Sequence, residues 1–515
     1  MTAIAATGAP ATPLNRTMIL ASVMLATILV SLDQTIANVA LPHMAGSVSA
    51  SQDQIAWVLT SYIVAGAICT PITGWLADRL GRKRLLITAV VGFIGASALC
   101  GAAQNLPEIV LFRAIQGVFG APLIPMSQAL VLDIYTAKER ALAMSFWAVG
   151  VMVAPIVGPV LGGWLTDALS WRWVFYINIP VGALCVLGIL TFVPDTVRDL
   201  NRRLDLVGFA LLSVAIASLQ LVFDRGQSQD WFSSPEIVAE AAIAFVAFWF
   251  ALVHSFTSKK PFLPLSIFTN RNFATAAVLG VMVGVTVLSV TALIPTMLQT
   301  LYGYPVFEAG LLSAPRGFGS IASMLLVGRL IGVIDTRVLL MFGMSVFALA
   351  FYQLSTFGLD TSSNTIVVNG LIQGFGMGFV FMPLNTMAFA TIPPTKRGDA
   401  TSFYTLMRNL GGSAGISIMF AMLVNFSAKS RTDLVTPYSL DNNTVAAQLP
   451  APLSMSDPTG VNVLSSQVDL QSTMMGYTQV FHLMFLVTLF LIPAVLIMRT
   501  PKEGIEHSDE HVAME

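Results

Sequence analysis

Runs of about 20 apolar residues recur along this chain, each long enough to cross a hydrocarbon core roughly 30 Å thick. Fourteen are counted, near 17–39, 54–77, 85–104, 107–132, 141–166, 172–193, 206–223, 237–255, 273–300, 308–331, 337–358, 365–390, 400–425 and 477–499. Inside a bilayer no water satisfies the backbone, so a crossing segment must be a helix or part of a closed barrel. Continuous apolar runs of this length select the helix. The expected fold class is therefore an all-α membrane protein. Composition agrees: 10% of the 515 residues are charged and mean hydropathy is +0.77, whereas soluble chains carry about 25% charged residues. The first run follows Arg16 and has no small-residue cleavage site after it, so it reads as a retained helix.

Basic residues orient the spans. With the N-terminus in the cytoplasm, the loops on that side carry Arg79, Arg82, Lys83, Arg84, Lys138, Arg140, Arg198, Arg202, Arg203, Lys259, Lys260, Arg271, Lys396 and Arg397. The other side carries only Arg172, Arg225, Lys429 and Arg431, which is the positive-inside asymmetry. An even span count then returns the C-terminal tail to the cytoplasm. Cys69, Cys100 and Cys185 lie within apolar runs without metal or disulfide spacing and read as small apolar fillers. His43, His254 and His482 lie near span ends and read as interfacial residues. No zinc-protease, Walker or G-x-S-x-G pattern occurs, which argues against an enzyme and against an ATP-driven pump. No cofactor or metal is expected.

An internal repeat divides the chain. "AIQGVFGAPLIPMSQ" (114–128) in the fourth span matches "LIQGFGMGFVFMPLN" (371–385) in the twelfth. Paired halves with Gly- and Pro-interrupted helices point to a transporter with its site between the repeats. The division is a tail (1–16), a six-helix lobe (17–194), two inserted spans with linkers (195–260), a second six-helix lobe (261–500) and a tail (501–515). A long polar loop at about 427–476 and the segment 224–236 face away from the cytoplasm.

"GWLADRLGRKRL" (74–85) concentrates five charges between the second and third spans. Gly74 and Gly81 allow close helix approach and a tight turn. Arg82, Lys83 and Arg84 hold the loop on the cytoplasmic side, and Asp78 can pair with an arginine or a helix N-terminus. This stretch resembles the loop motif of the major facilitator superfamily, and "LDQTIANVALPHM" (32–44), "RAIQG" (113–117), "APIVGPVLGG" (154–163) and "WRWVFYINIPVG" (171–182) follow in that family's order. Fourteen spans make the set similar to the drug:proton antiporters of the EmrB/QacA type. "DRGQSQDWFSSPEI" and "RGDATSFYTLMRNLGGSAG" bring it nearest to EmrB-like exporters of Gram-negative inner membranes. The resemblance implies two six-helix lobes plus two central spans, proton-driven efflux of amphipathic drugs, and work with a periplasmic adaptor and an outer-membrane channel. It also implies a cytoplasmic gate at Gly74, Asp78, Arg79, Gly81, Arg82 and Lys83, and an exporter motif at Pro155, Gly158, Pro159, Gly162 and Gly163.

An ionisable group inside a span costs several kcal/mol and is a functional candidate by default. Asp33 lies six residues before the apparent outer end of the first span and Arg113 six after Pro107, so both sit about 9 Å deep from the same face. A neighbouring guanidinium lowers a carboxyl pKa and burial raises it, so alternating access can switch proton release and uptake. The resemblance implies the same coupling role for both; a static ion pair is the alternative. Arg408 matches an arginine common in EmrB-like chains and reads as a substrate or helix contact. Arg316 stands where that family leads one to expect an apolar residue, and reads as a snorkelling interfacial side chain or an anionic-substrate contact. Candidate cavity residues are Gln34, Asn38, Trp57, Tyr62, Gln116, Asn385, Phe403 and Arg408. The function expected is multidrug export by drug:proton antiport. Alternatives are an exporter dedicated to one metabolite, such as a fatty acid or siderophore, and a membrane sensor that moves nothing.

Overall fold

The computed structural model describes residues 13–499 apart from 51, 56, 196–197, 200–203, 260, 263–264, 394–395 and 437–457. The described residues are helical, with one isolated β-bridge and no strand. The spans are α1 (Pro13–Ser47), α2 (Trp57–Cys69 and Thr73–Leu80), α3 (Arg82–Ala102), α4 (Leu106–Ile134), α5 (Ala137–Ala168), α6 (Trp173–Phe192), α7 (Leu206–Arg225), α8 (Pro235–Thr257), α9 (Arg271–Thr300), α10 (Phe307–Leu330), α11 (Thr336–Leu354), α12 (Ser363–Ala390), α13 (Arg397–Val435) and α14 (Pro458–Leu491). Twelve of these are long and apolar enough to cross a membrane and α2, bent by 60°, is a thirteenth; the 32-residue α5 carries a shorter apolar stretch, Leu142–Val151.

Local chemistry sets the breaks. Pro71 interrupts α2, Pro122 α4 and Pro315 α10, because proline has no N–H to donate and its ring crowds the preceding turn. Helix starts are capped by side chains: Asn105 accepts from the Glu108 N–H, Asp205 from Gly208 and Asn270 from Phe273, while Thr136 and Glu139 form a capping box. Gly81, at φ +84°, makes the turn between α2 and α3 that a side chain would strain.

Helices α1–α6 form one lobe and α9–α14 the other, with matching neighbours: α2 on α4 and α3 on α4 in the first, α10 on α12 and α11 on α12 in the second. Glycines allow these approaches. A Cβ on Gly117 would lie 2.3 Å from the Tyr62 carbonyl oxygen, and one on Gly284 2.2 Å from that of Arg408.

The hydrophobic core is not uniform along the membrane normal. At the basic end one cluster joins both lobes, running from Val23, Leu86 and Met126 through Trp147 to Met324, Leu384 and Tyr404. Toward the other end the lobes separate into Ile36, Val58, Ile109 and Phe175 on one side and Leu293, Phe351, Met419 and Phe481 on the other. The lobes are thus closed at the basic end.

Two expectations change. The polar segment 427–476 is not a loop throughout: α13 continues to Val435 and α14 begins at Pro458, so only 437–457 lie outside the described residues. At 39 and 34 residues these helices reach about 58 and 51 Å, well past a bilayer core. Their extensions persist because they pair, through Arg431–Asp469 at 2.6 Å and Gln479–Ser430 at 3.2 Å, with Gly476 set against Ser427. The first span likewise runs on to Ser47, eight residues beyond the apolar run. The inserted α7 lies against α2 and α13, while α8 turns Phe245, Trp249 and Phe256 outward as a lipid-facing helix must. Asp205 and His254, 2.9 Å apart, close the hairpin at the basic end, and Arg225 pairs with Glu236 at the other.

Gly117→Val should lower the thermal unfolding midpoint of the purified protein by an amount equivalent to about 1–3 kcal/mol, because its Cβ meets backbone. Gly95→Ala, where a Cβ would meet nothing within 4 Å, should leave the midpoint in place.

Candidate functional site

Asp33 and Arg113 are both fully buried and meet at 2.7 Å from Arg113 Nη1 to Asp33 Oδ2. The carboxylate accepts two more hydrogen bonds on Oδ1, each at 2.8 Å, from Gln116 Nε2 and Asn178 Nδ2. Arg113 also donates to Gln116 Oε1 at 2.8 Å and to the Val58 carbonyl at 3.2 Å. Its guanidinium lies 4.3 Å from the Tyr62 ring centroid and 5.6 Å from that of Phe175. Asn178 is steadied by Ser97, whose hydroxyl donates to the Phe175 carbonyl. One aspartate on α1 is therefore held by donors from α4 and α6, and its arginine by α2. The pair is spatially isolated from water, where charge–charge attraction is strong and loss of one partner is costly. Among the described residues Arg113 Nη2 and Asn178 Oδ1 have no hydrogen-bond partner, so the network has spare capacity on both its donor and acceptor sides.

Asn178 and Ser97 were not singled out from the sequence. The signal for Asn178 was a lone amide in the apolar run "YINIPVG", readable only once α6 is known to pack on α1. Tyr62 and Gln116, expected in a substrate cavity, contact this charge pair.

The exporter-motif glycines support it from behind. A Cβ on Gly158 would fall 2.1 Å from Thr35 Oγ1, and one on Gly162 3.2 Å from the Ile36 carbonyl oxygen, so α5 is seated on the turn of α1 that follows Asp33. Gly163 has open space around it. The side chains of Pro155 and Pro159 lie outside the described residues; the helix runs unbroken through both positions.

At the basic end, Gly74 touches the other lobe: its Cβ would lie 2.9 Å from the Asp399 backbone nitrogen at the start of α13. Arg82 pairs with Asp133 at the end of α4, and Arg397 of the second lobe reaches the same carboxylate at 2.9 Å. Asp133 therefore joins the two lobes, a role the sequence did not suggest. The Asp78 carbonyl accepts from the Asp199 N–H at 2.8 Å, Arg79 lies 5.2 Å from the Trp75 ring, and Lys83 donates to the Leu190 carbonyl at 2.9 Å.

The remaining cavity candidates lie as follows. Gln34 and Asn38 are exposed, one turn apart on α1. Trp57 lies beside Arg225, and Phe403 is buried with Leu212 and Ile216, so both face the inserted α7. Arg408 lies 5.3 Å from the Phe381 ring. Asn385 accepts from Gln128 at 3.0 Å; these two residues end the two repeat segments, and they meet across the lobe interface.

Asp33→Asn should destabilise the protein by about 3–5 kcal/mol, read as a lowered unfolding midpoint, because Arg113 is left charged and buried. Adding Arg113→Gln should recover part of the loss; an additive double variant would mean the two side chains do not interact.

Comparison with known proteins identifies the family. The Major Facilitator Superfamily model matches residues 23–416. The multidrug export protein EmrB of Escherichia coli K12 is 37% identical over 476 residues, covering 91% of this chain and 93% of that protein. The fatty acid resistance protein FarB of Neisseria gonorrhoeae is 35% identical, covering 93% and 95%. A crystal structure of the human organic anion transporter MFSD10 shares the fold, with a TM-score of 0.59 at 15% identity, over 93% of this chain and all of that one. The match along most of the chain, the paired lobes and the membrane-spanning helices place this protein in the major facilitator superfamily.

Proposed function

We propose that the protein is a multidrug efflux transporter of the inner membrane that exports amphipathic compounds in exchange for protons. The observation that carries this is the buried Asp33 held by Arg113, Gln116 and Asn178 in a chain closely similar to EmrB. The basic end is taken as cytoplasmic, with both termini on that side, from the excess of Lys and Arg there. No cofactor takes part; the proton gradient drives the cycle.

The route from proton to movement follows the contacts. Protonating Asp33 removes the charge that draws donors from α4 and α6 onto α1. Arg113 keeps the Val58 carbonyl, Gln116 and the Tyr62 ring, which offset only part of the cost of its now unpaired charge. Freed from its donors, α1 shifts against α5, which is seated on it at Gly158 and Gly162, and α5 packs on α10 of the other lobe at Ser145 and Gly328. The Asp133–Arg397 bridge and the Gly74–Asp399 contact then open, exposing the space between lobes to the cytoplasm. Each ligand shifts this equilibrium only through its differential affinity for the two states.

Reconstituted protein with an internal pH dye, given an outward gradient of lipophilic cations or weak acids, should show substrate-dependent proton movement that Asp33→Asn abolishes. Proton movement surviving in the variant would place the carrier elsewhere. Absence of any substrate-linked signal in the wild type, despite binding, would support a sensor. The similarity to FarB favours, as a second reading, an exporter dedicated to fatty acids; transport of one compound from a broad panel would decide for it.

The α13–α14 extensions, with 437–457 between them, are the proposed dock for a periplasmic adaptor that passes substrate to an outer-membrane channel. The 224–236 turn lies at the same end. Replacing 437–457 by a short Gly–Ser linker should abolish adaptor capture while proton-linked transport in vesicles persists; full capture would exclude this surface.

A further inference from the structure

The two lobes carry related but unequal polar sites. In the first, Gly117 of α4 packs on the Tyr62 carbonyl of α2, and Gln116 beside it binds Arg113 and Asp33. In the second, the repeat counterpart Gly374 of α12 packs on the Arg316 carbonyl of α10, and Gln373 beside it lies 3.4 Å from Arg316 Nη1. Arg316 thus occupies the place of Tyr62, and Gly370 the place of Arg113. A guanidinium is present in both lobes, entering from a different helix in each.

What differs is the acid. Helix α9, which corresponds to α1, contains no Asp or Glu. Arg316 has no ion pair among the described residues and is not turned to an interface as a snorkelling side chain would be; it points at α12. Because a guanidinium only donates, Gln373 must offer it Oε1, and this leaves Nε2 of a fully buried side chain without a partner. Beyond that one contact, Gln373 Nε2 has no partner and the Arg316 guanidinium has no carboxylate among the described residues. Arg316 is half-buried with no counter-charge, and a carboxylate accepting from both side chains would supply one.

We propose that Arg316 and Gln373 form a subsite for the carboxylate of an amphipathic acid, so that the cargo supplies in the second lobe the group that Asp33 supplies in the first. This rests on the exporter reading and adds a substrate class to it, acids with an apolar body.

Full-length protein in nanodiscs would be titrated with 1-pyrenebutyrate and with pyrenebutyl-trimethylammonium, binding being read by energy transfer from tryptophan. The measured quantity is the ratio of the two affinities. Arg316→Gln should lower the acid-to-cation ratio by about tenfold or more, the usual worth of a hydrogen bond to a charged group. Arg316→Lys should restore much of it, and Gln373→Leu should lower it less. An unchanged ratio in folded Arg316→Gln would overturn the subsite, as would an equal loss in Arg316→Lys and Arg316→Gln, which would mean a packing role. Proton-linked extrusion from proteoliposomes is read in parallel. Cation extrusion with an Arg316-independent ratio leaves the exporter standing and the subsite refuted; an Arg316-dependent ratio without extrusion of either probe leaves the subsite standing and the exporter refuted.

Discussion

The buried pair of Asp33 and Arg113 is the interaction around which the first lobe is arranged. Neither charge reaches water, so each must find its stabilisation in protein, and five of the six helices in that lobe contribute. Helix α4 brings the guanidinium and Gln116, α6 brings Asn178, α3 brings Ser97 beneath it, and α2 brings the Val58 carbonyl and the Tyr62 ring. A helix carrying a buried charge cannot shift unless the charge is neutralised or re-paired.

The same logic explains why the glycines of the exporter motif lie where they do. They bring α5 against the turn of α1 next to Asp33, and α5 in turn forms part of the lobe interface. The packed core is continuous between lobes at the basic end and divided at the other. Closure at the basic end therefore rests on apolar packing, with Asp133 between Arg82 and Arg397 adding direction. Toward the other end the inserted α7 adds ties of its own, since Gln220 donates to Ser413 at 2.9 Å and Asp224 is bound by Thr60, linking α7 to α13 and α2 at once.

Pseudo-symmetry is exact enough in the backbone for counterpart glycines to perform the same packing, yet the side chains have diverged. The first lobe keeps an acid and a base together; the second keeps only the base. Gln128 and Asn385, the last residues of the two repeat segments, meet directly and mark the line about which the lobes are related.

Much of this was written in the sequence. Runs of about 20 apolar residues determined the helical class, because hydrocarbon leaves the backbone no alternative partner. Equal depth brought Asp33 and Arg113 together as a pair, and the repeat announced two lobes. Tertiary structure alone decided which neutral residues serve them. Asn178 and Ser97 are ordinary in sequence, and Tyr62, Gln116 and Asn385 could as well have lined a cavity. Asp133 looked like one more loop charge. The reason is geometric: a helix shows its hydrophobicity locally, but which face meets which neighbour depends on residues 50 to 260 positions away, as Arg113–Val58 and Gln128–Asn385 illustrate. The extended helices before and after 437–457 escaped the sequence reading for a related cause, since their polar turns are stabilised by each other and not by lipid.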